Sequence, residues 1–236
     1  MQAAKIKAVT FDAGGTLIEP WPSVGEVYAA VASEFGHTQL SAAALNRQFA
    51  TAWKRKEAFD YSISGWKSLV EAAFGKSVPA ARMSELFDAI YQRFAEAGAW
   101  RVYDDVRDTL RTLQERGYRL GVISNWDERL RSLLLKLDLS HYFEAIVLSV
   151  DVGATKPAAE IFQRTLTMLD LPAASVLHVG DSFEEDVVGA RQCGMRALLL
   201  DRRKTTAESV PTLARLFSQL RTVERLKISG PHRSKT

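Results

Sequence analysis

Five short apolar runs in this chain each stop abruptly, and helical periodicity fills the intervals between the later ones. The first runs from Ile6 to Phe11 and ends at Asp12, followed by Gly14-Gly15. The others are Arg119–Ile123, ending at Ser124-Asn125; Ala145–Leu148, leading into a loop at Asp151–Lys156; Ser175–Val179, ending at Gly180-Asp181-Ser182; and Arg196–Leu200. Helical spacing places Val106, Leu110 and Leu113 on a helix that stops at Gly117, and predicts further helices at 127–138, 158–169 and from Glu184 or Glu185 to Gln192. Runs this short are strand-length, and strands alternating with helices predict an α/β fold with a doubly wound parallel sheet.

The interval between the first two runs breaks the alternation. Pro22-Ser23 opens a helix through Val24, Val27, Tyr28, Val31 and Phe35, with Gly36 as its stop. A second opens near Ser41 with Leu45, Phe49, Trp53 and Phe59 on it; a third begins at Gly65-Trp66; a fourth covers about Ala80 to Ala97. About eighty residues without a strand signal read as a helical insertion over 18–99, dividing a core made of 1–17 and 100–205. A C-terminal helix is expected over 206–228, with a disordered tail at 229–236. The aromatic residues of the insertion, Trp21, Trp53 and Trp66 among them, read first as its own core, and Lys54 and Arg55 as solvated charges.

Composition excludes several classes. Hydrophobic residues make up 47% and charged residues 25%, as in an ordinary globular protein. No apolar run approaches the ~20 residues that span a bilayer, and the N-terminus carries no signal-like apolar stretch. The single cysteine, Cys193, forms no internal disulfide and predicts a reducing, cytoplasmic setting. Residues 202–236 hold nine Lys/Arg against Glu208 and Glu224, a local +7 that leaves −4 on the rest of a chain of net +3. Only Phe217 interleaves with those charges, too little aromatic surface for nucleic-acid stacking.

In a parallel sheet the C-terminal strand ends share one edge, so Asp12, Ser124, Asn125 and Asp181 converge there, with Lys156 just past a fourth strand. The set contains carboxylates able to attack phosphorus or to ligate a hard cation such as Mg2+, a hydroxyl–amide pair, and a lysine to offset their charge. Asp186, five residues after Asp181, adds oxygen ligands at a helix start. Glu185 is either a further member of this edge or a solvated first-turn acid. His178 falls inside a predicted buried strand and reads as a core histidine; Cys193 reads as a small buried apolar residue. Trp126 either shapes the pocket or packs beneath the insertion.

The segments DAGGTL, ISN, ATKP and GDSFEEDVVGA resemble, in order and spacing, the four motifs of the haloacid dehalogenase (HAD) superfamily, covering Lys5 to about Arg202. Each is weak alone; the four together are specific. The resemblance implies a Rossmann-like core with the insertion as a helical cap, and PSVGEVYAAVASEFG with ISNWDERL is similar to the haloacid dehalogenase-like hydrolase domain-containing branch. It implies Asp12 as nucleophile, the Gly14 carbonyl, Asp12, Asp181 and Asp186 (directly or through water) as Mg2+ ligands, Lys156 as the catalytic cation beside Asp12, Ser124 and Asn125 on phosphoryl oxygens, and Thr16 supporting the loop at the substrate. The reaction implied is hydrolysis of a small phosphorylated metabolite through an aspartyl-phosphate, by a monomer or homodimer.

One position departs from that pattern. Most phosphatases of the superfamily carry Asp two residues after the nucleophile, as general acid and base, and here that position is Gly14. Such a group is typically worth ~10²–10⁴ in rate, so phosphatase activity is expected to be weak. Other readings therefore stay open: a phospho-ligand-binding protein without catalysis, a dehalogenase attacking carbon, or a phosphonatase-like enzyme using a cap lysine (Lys54, Lys56 or Lys67).

Overall fold

The structure, a computed structural model, describes residues 4–56, 59–202, 209–218 and 220. Strand β1 (Ala8–Phe11) is buried at every position, which is why it reads as a continuous apolar run rather than an alternating one. After a tight loop comes β2 (Ile18–Pro20), then helices α1 (Val24–Glu34), α2 (Ala42–Arg55), α3 (Ile63–Phe74) and α4 (Ala80–Arg93), and β3 (Trp100–Val102). Strands β2 and β3 pair antiparallel, Ile18 with Val102 and Pro20 with Trp100. The expected strand-free interval therefore opens on a strand. Three residues are too few to show a period of two.

Three of the four insertion helices begin where serine can cap them. Ser23, Ser41 and Ser62 accept from the peptide N–H groups of Glu26, Ala44 and Gly65, each cap worth about 1 kcal/mol. Ser62 moves the start of α3 ahead of Gly65, and α2 ends before Phe59. Gly25 allows α1 to touch α2: a Cβ there would collide with the Ala42 carbonyl, and its N–H donates to Asn46 Oδ1 (2.7 Å). Val31, Phe74, Leu86 and Ile90 are the centre of a core separate from that of the sheet.

The rest of the chain is α5 (Val106–Glu115), β4 (Arg119–Ser124), α6 (Arg129–Lys136), β5 (Ala145–Leu148), the single turn α7 (Ser149–Val152), α8 (Ala159–Leu169), β6 (Val176–Gly180), a π-helical stretch at Phe183–Val188, the short α9 (Gly189–Gln192), β7 (Arg196–Leu200) and β8 (Ser209–Val210). The sheet is six-stranded in the order β5-β4-β1-β6-β7-β8, with every pair parallel. Helices α5 and α6 pack on one face through Leu110, Leu113, Leu130 and Leu134. Helices α8 and α9 cover the other through Ile161, Phe162 and Ala190. The fold is thus the doubly wound α/β sheet that the alternation predicts. Strand β1 sits where the winding changes direction, between β4 and β6, and such a switch point opens a crevice at the C-terminal strand ends.

The expected helix over 206–228 gives way at its start: Ser209–Val210 extend the sheet by pairing with Leu199 and Leu200. A buried Leu-Val pair beside an edge strand buries more as a ladder than as a first helical turn. Leu213 and Leu216 then close over the α5 face. The expected tail and most of the basic segment lie outside the described residues. Among the described residues no helix is long and apolar enough to cross a membrane.

Candidate active site at the strand ends

The loop after β1 is folded around one carbonyl. Ala13 C=O accepts from the N–H groups of Thr16 (3.3 Å), Leu17 (2.8 Å) and Ile18 (3.0 Å), and none of these bonds uses the Gly14 carbonyl. Gly15 holds the turn at φ 78°, a value that side chains resist. It also lies under Asp181, whose carboxylate fills the place that a Cβ of residue 15 would need. Gly14 is not left-handed, so the constraint there is different: a Cβ would come within 3.1 Å of Trp126 Cζ3. Trp126 packs against Trp100, ring centres 5.1 Å apart, and its peptide N–H and C=O are both held by Ser149 Oγ.

Lys156 is the hub. Its buried ammonium donates to Asp12 Oδ1 (2.7 Å) and to Asp186 Oδ1 (2.6 Å). Ser124 Oγ also donates to Asp12 Oδ1 (3.0 Å). Asn125 clips the Lys156 loop to the end of β4: its Oδ1 accepts from Lys156 N–H (2.6 Å), and its Nδ2 donates to the Lys156 carbonyl and to Glu185 Oε2 (3.1 Å each). Asp186 has no free oxygen, since Oδ2 accepts from Ser182 N–H and Oδ1 also lies 3.0 Å from His178 Nε2. A carboxylate only accepts, so Nε2 carries the proton there, and His178 Nδ1 takes the Thr10 hydroxyl at 3.0 Å. The π-helical stretch places Glu185 and Asp186 side by side at this edge, one facing Asn125 and the other Lys156.

These partners divide the carboxylates. Burial raises the carboxylate range in general, but Lys156 and His178 hold Asp186 well below it. Asp12 has fewer partners; burial, helped by the Asp186 charge, raises its pKa despite Lys156 and Ser124. Asp181 is pushed up to about 7, chiefly by the surrounding protein and then by Asp12 and Asp186. Burial likewise raises Glu185. Burial would lower Lys156, yet Asp12 and Asp186 outweigh it and hold the ammonium above the ordinary lysine range. The site is therefore short of positive charge on the side of Asp12 and Asp181.

That shortage fits a divalent cation. Among the described residues no three acidic, histidine or cysteine side chains converge tightly enough to hold a metal by themselves. Two carboxylates, a loop carbonyl and water are nevertheless an ordinary oxygen set for Mg2+, which keeps much of its hydration.

A cavity of about 450 Å³ opens above this edge and reaches Asp12, Gly14, Ser124, Asn125, Asp181, Glu185 and Asp186. Its roof belongs to the insertion. Thr16, expected at the substrate, does not line it: that side chain is fully buried beneath the loop, and among the described residues its hydroxyl has no partner. A wider groove between α2 and α3, about 800 Å³, contains none of the strand-end residues. Sequence reasoning missed a second ionic pair, Asp127 with Arg129 (2.6 Å), which ties the core to the insertion: Arg129 donates to the Tyr91 carbonyl (2.8 Å) and lies 3.4 Å over that ring. His178 is the buried strand residue expected, with a supporting contact that its position alone does not reveal. Cys193 is half-buried, its thiol 3.8 Å from the Ala159 carbonyl and raised in pKa by burial.

Known proteins bear out this architecture. A HAD phosphatase from Thermococcus onnurineus superposes with a TM-score of 0.65 at 26% identity, over 91% of this chain and 98% of that one. The HAD-hydrolase YfnB from Bacillus subtilis, whose structure is bound to magnesium and reveals interdomain movement, reaches 0.74 at 18% identity, over 92% and 100%. In sequence, the haloacid dehalogenase-like hydrolase domain-containing protein 3 of Danio rerio is 33% identical over 210 residues, 84% of this chain and 86% of that protein. Residues 6–194, from the start of β1 to the turn before β7, match the haloacid dehalogenase-like hydrolase family as a whole. The four strand-end segments thus have the setting their resemblance implied, and the chain belongs to the haloacid dehalogenase-like hydrolases.

Proposed function

We propose that this hydrolase is a Mg2+-dependent phosphatase acting on a small phosphorylated compound, with Asp12 as nucleophile and the insertion as its cap. The observation that carries this reading is the uneven support of Asp12, which lines the cavity: Lys156 and Ser124 both grip Oδ1, and among the described residues none donates to Oδ2. Oδ2 would attack phosphorus as the bond to the leaving oxygen breaks, and water would then cleave the acyl phosphate and restore the carboxylate. Asp12, Asp181 and the Gly14 carbonyl would hold Mg2+, with Asp186 reaching it only through water because its oxygens serve Lys156, His178 and Ser182. Bound there, the cation would supply charge to offset the phosphoryl oxygens. Ser124 Oγ–H, and the Asn125 N–H now given to Glu185, would turn to those oxygens.

Two measurements test the proposal. Mg2+ with beryllofluoride at about 100 times its Kd should stabilise the fold by ~2.7 kcal/mol, a rise in Tm of roughly 5–10 °C for a chain of this size. Asp181→Ala should remove the rise; a shift of the same size in that variant would place the ligand elsewhere.

The second concerns the missing acid. Gly14→Asp should raise turnover of alkyl phosphates only modestly, within about tenfold, because the new Cβ meets Trp126. Paired with Trp126→Ala it should gain more, toward the ~10² at the low end of general acid–base catalysis. The gain should be least for p-nitrophenyl phosphate, whose leaving group hardly needs a proton. A folded double variant with no gain on any ester would remove position 14 as the explanation for weak activity.

A further inference from the structure

The phosphate end of the cavity accounts for only one of its halves. The other is walled by rings: Phe49, Trp53, Trp66 and Phe94 from the insertion side and Trp100 from the core, with Trp126 between them and Gly14. Trp53 and Trp66 stack with centres 5.9 Å apart and planes at 19°. We infer that the organic part of the substrate is an uncharged, apolar, ring-containing group, so that the preferred ester joins phosphate to an aromatic or similarly flat alcohol. This deepens the phosphatase reading and rests on it.

The polar groups in this half point the same way, because most are already committed. Trp100 Nε1 donates to the Phe94 carbonyl (3.0 Å). Arg129 is spent on Asp127 and the Tyr91 carbonyl, and the Tyr91 hydroxyl donates to Asp127 as well. Among the described residues the Trp66 indole N–H is buried without a partner. What remains is mainly donor capacity, at ring edges and on the Lys56 ammonium, with the Tyr28 hydroxyl, whereas each hydroxyl of a polyol needs an acceptor for its own proton. Moving a polyol from water into this wall would strand those protons, at a cost in binding. A quaternary ammonium would meet like charge at these rings: Lys56 Nζ stands 4.1 Å over Trp53, and Arg129 over Tyr91. An uncharged ring meets neither objection and fits a cavity of about 450 Å³.

The test compares esters of primary alcohols, so that leaving-group chemistry is matched: 2-(2-naphthyl)ethyl phosphate, glycerol 3-phosphate and choline phosphate, with the full chain and Mg2+. The naphthyl ester should have a kcat/KM at least ~30-fold above either of the others, from the apolar surface it buries. Trp53→Ser should lower that ratio about fivefold or more. Turnover with a ratio near one, or in favour of a polar ester, overturns the substrate class and leaves the phosphatase reading intact. If no ester turns over, the phosphatase reading fails by itself, and titration calorimetry with Mg2+ decides the ligand class. Tighter binding of 2-(2-naphthyl)ethylphosphonate than of propylphosphonate upholds it; equal or absent binding overturns it.

Discussion

Replacing Lys156 with methionine should cost the protein ~3–5 kcal/mol of stability, the usual penalty for leaving buried charge without its partner. Among the described residues the ammonium is the single donor common to Asp12 and Asp186, and all three groups are buried. Methionine fills the volume and removes only the charge, so the loss reports on electrostatics rather than on a cavity. Asp186 would keep His178 and the Ser182 N–H, but Asp12 would keep only Ser124. Urea unfolding should therefore show a lower midpoint, a thermal scan a Tm lower by roughly 10 °C, and turnover should disappear with them. A loss below ~1 kcal/mol would show that the carboxylates find another counter-charge.

Asp12→Asn should do the opposite to the fold while doing at least as much to the reaction. Turnover should fall by ~10⁴ or more, since the amide offers no nucleophilic oxygen. Stability should hold or rise. The sign follows from the direction of the shift: the folded environment raises the Asp12 pKa, so its charged form is less favoured in the fold than in the unfolded chain, and above the ordinary carboxylate range a neutral isostere relieves that cost. Asp186→Asn is the contrast, because there the fold favours the anion and neutralising it should destabilise. Parallel melting curves of the two variants are the measurement. Equal losses would mean that Asp12 is as structural as Asp186.

Much of this site is legible in the sequence because the chain marks strand ends with chemistry. Asp12, Ser124-Asn125 and Asp181 each follow an apolar run, and a parallel sheet gathers such ends whatever their separation. What stays hidden depends on register and on neighbours. His178 and Thr10 meet because β1 and β6 pair at that position, and no periodicity within either strand says so. The roles within the acidic group are hidden too, since only the packing shows which carboxylate His178 and Ser182 serve. Gly14 is plain as an absence, yet the indole of Trp126, more than a hundred residues away, decides what its lack of a side chain means. Asp127 and Arg129 look like a loop acid and a helix base until Tyr91 is seen between insertion and core. The pairing of Ser209–Val210 is invisible for the same reason as the β2–β3 ribbon: two or three residues carry no period.

That ribbon has a consequence for how such a chain changes over generations. The polypeptide leaves the core at Ile18–Pro20 and returns at Trp100–Val102, with the two crossings hydrogen-bonded to each other. The core therefore always meets the same pair of adjacent ends, whatever is spliced between them. Lengthening, shortening or exchanging the intervening helices alters loop closure only logarithmically and leaves the register of the six parallel strands alone. The roof over the strand-end cavity can be rewritten as a unit, while Asp12, Lys156 and Asp181 stay where the sheet puts them.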